Sequence, residues 1–121
     1  MQSPSSSSSH RESWLKCRRA LASRVVREPL FHVPMQAIDW ALDRGVAERT
    51  NASLSLDRLV ISDVEGNAID ENMVVVIPKP DRIELRLYRA TQLVERVDIE
   101  RNRLCEHLER LLSHFHRTSN C

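Results

Sequence analysis

The chain has 121 residues and a net charge of +1, with 29% of residues charged and 41% hydrophobic. One domain with a real core fits this length. Two glycines argue against backbone loops that cradle phosphates or cofactors, and three scattered cysteines against a disulfide framework.

The small net charge hides an asymmetry, since residues 1–28 carry six basic and two acidic side chains and the rest carry 12 and 15. Residues 1–8 are Ser-rich and read as a disordered tail. Ser9 and Glu12 have capping-box spacing, so a helix is expected from there to about Arg27, ahead of Pro29. Trp14, Cys17, Leu21 and Val25 form its apolar stripe, with Leu15, Ala22 and Val26 close by. A second helix is expected with Pro34 in its first turn, Met35, Ile38, Ala41 and Leu42 on its apolar side, and Gly45 as its left-handed terminator. Residues 48–52 read as loop.

From Ser53 the period changes from helical to alternating, and one strand is expected over 54–62. Residues 63–67 carry turn chemistry. The run Met73–Ile77 is continuously apolar and β-branched, as in a central strand. Arg82–Arg89 alternates, with Ile83, Leu85 and Leu87 on one face and Glu84, Arg86 and Tyr88 on the other. Residues 92–100 suit a strand returning through Ala90-Thr91, although a helix running on from Thr91 also fits the spacing. Asp98 is placed to cap the last helix. There Leu104, Leu108, Leu111 and Phe115 recur at helical spacing beside Leu112.

The expected fold is α+β: two N-terminal helices, a three- to four-stranded antiparallel sheet, and a C-terminal amphipathic helix packed on the sheet. Residues 9–117 make the single domain, and residues 118–121 a frayed end.

No constellation of catalytic groups emerges. His107 and His114 share a helix flank but lie about 10 Å apart along it, too far for one metal. The acids Asp63, Glu65, Asp70 and Glu71 lack calcium-loop spacing. There is no GxSxG, P-loop or GxGxxG, and no apolar run of membrane-spanning length. No cofactor, metal or small-molecule substrate is expected. A helix-turn-helix over 40–59 is weakened by Asn51, which falls where an apolar residue is needed.

The functional expectation is a non-enzymatic interaction or regulatory protein: an adaptor, chaperone, inhibitor or accessory factor. It would form a homodimer, or bind another protein, through Leu104, Leu108, Leu111, Leu112 and Phe115 or through a sheet edge. The alternative is nucleic-acid binding through phosphate contacts from Arg11, Lys16, Arg18, Arg19, Arg24 and Arg27. The cysteine pattern points to a reducing, cytoplasmic setting. The Ser- and Arg-rich first 27 residues keep organelle import as the weaker reading.

Overall fold

The computed structural model describes the backbone of residues 6–63 and 72–119, and the side chains of residues 10–63 and 72–115. Helix α1 (Ser6–Arg27) leads through a short 3-10 turn (Pro29–Phe31) into α2 (His32–Asp43). A second 3-10 turn (Val46–Glu48) precedes five strands: β1 (Thr50–Leu54), β2 (Leu59–Asp63), β3 (Asn72–Pro78), β4 (Ile83–Arg89) and β5 (Gln92–Ile99). A third 3-10 turn (Arg101–Arg103) opens into α3 (Leu104–Ser119). The strands form one antiparallel meander in the order β1-β2-β3-β4-β5.

The class is the expected α+β, with five strands instead of three or four. The extra strand is β1, most of which lies in the stretch expected as loop; the segment expected as a single strand over 54–62 holds only its last residue, a turn and β2. β1 and β2 form a hairpin that pairs Ala52 with Ile61 and Leu54 with Leu59. The Ser55 amide donates to the Arg58 carbonyl at 3.0 Å and closes the turn. Leu56, which fitted the alternation, sits at the tip with 89% of its surface exposed. Thr50–Ala52, expected as loop, is strand, which also removes the helix-turn-helix reading.

Helix α1 begins at Ser6, so Ser9 lies within it instead of capping it. It ends at Arg27 as expected, with the Glu28 amide on the Arg24 carbonyl. Gly45 takes φ 77° just beyond α2, the left-handed role assigned to it. Asp98 does not cap α3, because β5 runs on to Ile99 and the 3-10 turn intervenes. Residues 92–99 form a strand, as favoured from their β-branched content. The turn expected over 63–67 lies beyond Asp63 outside the described residues, as do tail residues 1–5 and residues 120–121.

One core joins the three helices to one face of the sheet. Trp14, Cys17 and Leu21 enter it from α1, Ala37, Ile38 and Ala41 from α2, and Leu59, Ile61, Val74, Val76, Leu85 and Leu87 from the strands. Leu104, Leu108, Leu111, Leu112 and Phe115 enter it from α3. Val75 and Ile77 are buried too but lie outside this core, because alternation turns them to the opposite sheet face. The continuous apolarity of β3 thus has its cause: it is the central strand, buried on both sides.

The β4–β5 hairpin turns through Ala90 (φ 52°) and Thr91 (φ 67°). Both lie in the left-handed region that a two-residue hairpin turn of this kind requires and that Asn-Gly occupies at lower cost. Replacing Ala90→Asn together with Thr91→Gly should raise stability by about 1–2 kcal/mol. A thermal melt of the double variant checks this, and a lowered midpoint contradicts the turn geometry.

Candidate interaction edge

An antiparallel meander has two edge strands, each with a row of backbone groups that its single neighbour cannot satisfy. In this chain the edges are treated differently. Helix α1 lies against β1. There the Trp14 indole Nε1–H donates to the Thr50 carbonyl at 3.0 Å, and the Ala52 amide donates to Ser13 Oγ at 3.2 Å. Beyond the strand, Arg24 Nη2 donates to the Leu56 carbonyl at 2.6 Å. Thr50 is held from its own side chain as well, through Oγ1 to the Val46 carbonyl at 3.0 Å. The β1 edge is sealed by side chains of the first helix.

The β5 edge has no such cover among the described residues. Gln92, Leu93, Val94, Arg96 and Asp98 are exposed, with Leu93 and Val94 retaining 51% and 54% of their surface. Strand β5 pairs with β4 from Ile83↔Ile99 to Leu87↔Glu95 without interruption. Then Tyr88 pairs with Leu93, so Val94 is the extra residue of a bulge. Bulges and charges are the usual devices that guard a free edge against indiscriminate pairing. They leave residues 95–99 regularly paired with β4, with Arg96 and Asp98 exposed, Glu95 and Val97 half-buried and Ile99 buried.

On the face away from the helices, β4 and β5 carry a charged cluster. Glu84 is only 2% exposed, although it stands on the polar face of an alternating strand. Its Oε1 accepts from Lys79 Nζ at 2.9 Å, and its Oε2 from Arg86 Nε and Arg96 Nε, each at 2.6 Å. Arg86 also reaches the Tyr88 hydroxyl at 3.3 Å, and Arg96 Nη2 lies 3.8 Å from Asp98 Oδ2. Burial pushes the Glu84 carboxyl up, but the hydrogen bonds from Lys79, Arg86 and Arg96 outweigh it and hold it at about 2. The cluster locks the side chains on β4 and β5 next to the free edge. It is a permanently ionised carboxylate with no room for proton transfer near neutral pH.

On the helix side of β5, Glu95 accepts from Arg110 of α3 at 2.8 Å. That hydrogen bond holds its carboxyl below the usual range against the effect of burial, with smaller contributions from His114 and His107. The two histidines read from the sequence as a shared flank thus add a small charge effect on a carboxylate of β5.

The five residues assigned to partner binding on α3 are covered by the chain itself. Leu104, Leu108, Leu111, Leu112 and Phe115 are all at most 5% exposed, packed with α2, β3 and β4. They form the core, and the sheet edge is the remaining part of that expectation. Of the six cations assigned to nucleic acid, three are engaged at home. Arg11 bonds Glu48 at 3.1 Å, Arg18 bonds Asp39 at 2.7 Å, and Arg24 stacks 3.9 Å over the Phe31 ring. Lys16, Arg19 and Arg27 are left exposed along one flank of α1.

Between α2 and α3 lies a cleft of about 250 Å³, lined by Trp40, Arg44, Arg49, Glu109 and Leu112. It is smaller than the ~300–1,000 Å³ of small-molecule sites, and Arg44 and Glu109 are 3.9 Å apart across it. Among the described residues no three His, Cys, Asp or Glu side chains gather as metal ligands. Burial pushes the Cys17 thiol up to about 11, so it is a poor nucleophile. No described helix is long and apolar enough to cross a membrane. No family model matches the chain, and neither the curated proteins nor the solved structures contain a match to it.

Proposed function

We propose that this chain is a small non-enzymatic interaction protein, of the adaptor, chaperone, inhibitor or accessory type, that works in the cytoplasm as a homodimer joined through its sheet edge. The observation that carries this reading is the asymmetry of the edges: β1 is sealed by Trp14 and Ser13, while β5 is open and exposed. The buried stripe of α3 is already occupied, which leaves β5, among the described residues, as the edge strand free to pair.

Phosphate contact by the basic first helix, the alternative function, rests on Lys16, Arg19 and Arg27 alone. Three cations give a salt-sensitive, unselective contact.

Sedimentation combined with amide hydrogen exchange tests the dimer. As protein concentration rises from micromolar to hundreds of micromolar, mass should approach that of a dimer, and amides of residues 92–99 should slow. A chain that stays monomeric throughout, or gains protection along α1 instead, rules the reading out.

A further inference from the structure

The free edge constrains its own partner. In a two-fold pair of β5 strands with the axis normal to the sheet, side chains directly opposite each other share a face. The axis must then pass through a residue that meets its own equivalent. Through Glu95, Arg96 or Asp98, the axis would set two like charges directly opposite each other, which opposes pairing. Through Val94 it would fall on the bulge, where regular pairing stops. Through Val97 it sets Val97 against Val97 of the second copy. Arg96 then faces Asp98 of the second copy, and Asp98 faces Arg96, so the interface gains two opposite-charge pairs. Val97 is also the midpoint of residues 95–99, the stretch over which β5 pairs with β4 without a shift.

The side chains are ready for this. Arg96 is anchored to Glu84 through Nε at 2.6 Å, and this leaves its terminal nitrogens to reach across the edge. They now lie 3.8 Å from Asp98 of the same strand, a loose contact between two side chains with substantial exposure. Glu95 is held on the helix face by Arg110 and would stand opposite Ile99 of the second copy, whose side chain is buried in its own core, instead of opposite another acid.

Resting on the reading of β5 as the working edge, we infer that the occupant is a second copy of this chain, added antiparallel about a two-fold axis at Val97. The product is a continuous ten-strand sheet whose central seam is an Arg96–Asp98 ladder. The charges that guard the edge against other registers admit this one. A seam of five residues per chain is small, so the dimer belongs at the weak end of specific interfaces.

Cross-linking reads the register. In a Cys105→Ser, Cys121→Ser background, Val97→Cys should form an interchain disulfide under mild oxidation, because the paired Cα atoms come within the ~4.4–6.8 Å that a disulfide spans. Glu95→Cys should not, since its equivalents would be separated by about four residues of strand. Independently, Asp98→Lys, at an exposed position, should raise the dimer dissociation constant about thirtyfold by turning two attractive pairs into repulsive ones. Sedimentation and circular dichroism of each variant accompany both measurements. A dimer in which Val97→Cys stays reduced and Asp98→Lys has no effect overturns this register while leaving the homodimer standing. A chain that is monomeric before any substitution overturns both.

Discussion

Leu108→Asp is expected to unfold the chain. Leu108 is fully buried at the centre of the α3 stripe, within the core shared with α2, β3 and β4. Truncating a buried leucine costs about 2–5 kcal/mol. Leaving an unpaired carboxylate in an apolar site adds several more. Together these approach the whole stability of a domain this size, about 5–15 kcal/mol. Circular dichroism at 25 °C should show lost helix and sheet, whereas Glu109→Ala on the exposed side of the same helix should melt close to the wild type. A cooperative Leu108→Asp melt within a few degrees of the parent would contradict the burial of this stripe. The experiment also separates core from partner surface: a docking residue would alter assembly and leave the fold intact.

Replacing Glu84→Gln should cost about 2 kcal/mol at neutral pH and flatten the acid side of the stability profile. The folded chain holds this carboxyl at about 2, against an ordinary 4.5. A group whose pKa is lowered by folding stabilises fully above the ordinary value, and that contribution disappears as pH falls through the folded value. The window is therefore pH 4.5 down to 2. The magnitude is discounted because Lys79, Arg86 and Arg96 are partly exposed and screened by solvent. Urea melts of both proteins across this window provide the comparison, because other carboxylates cancel in the difference. Glu84→Ala should be worse than Glu84→Gln, since it leaves three cations gathered around an empty position. Equal acid sensitivity in the wild type and Glu84→Gln would mean that the carboxylate is solvated.

Both predictions turn on residues whose surroundings the sequence describes unequally. Leu108 announces itself, because spacing at three and four residues has one structural reading and the stripe is wide. Glu84 does not. It occupies the polar side of an alternating strand, where glutamate ordinarily meets water. Its burial depends on Lys79 at the preceding turn, Arg86 two residues on, and Arg96 across the hairpin. Only the last requires the β4–β5 register, yet without it the site is half built.

The errors at β1 and β2 have a related cause. Leu54, Leu56 and Arg58 alternate as a strand does, and Thr50-Asn51-Ala52 looks like a loop. The chain folds the other way. Trp14 and Ser13, more than thirty residues earlier, bind the backbone of Thr50 and Ala52 and make an edge strand out of weak strand formers. A signal in that segment alone could not have revealed this, since the decisive hydrogen-bond partners lie on α1. The basic first helix shows the same dependence. Six cations look like a surface for anions until Glu48, Asp39 and Phe31 are brought to three of them.

The sequence by itself determined what short-range physics controls: the α+β class, the left-handed turn at Gly45, the central β3 strand, and the amphipathic α3. These follow from periodicity, capping and conformational preference, which act over a few residues. The tertiary structure alone decided which apolar stripe is core, which charges are spent internally, and which of two sheet edges is left open. Those outcomes depend on contacts between segments far apart in the chain. Of the two interaction surfaces expected, the α3 stripe and a sheet edge, the first is spent in the core and the second is the one proposed. The α3 stripe has the stronger pattern but is already covered, while β5, with the weaker pattern, is an edge strand left uncovered among the described residues.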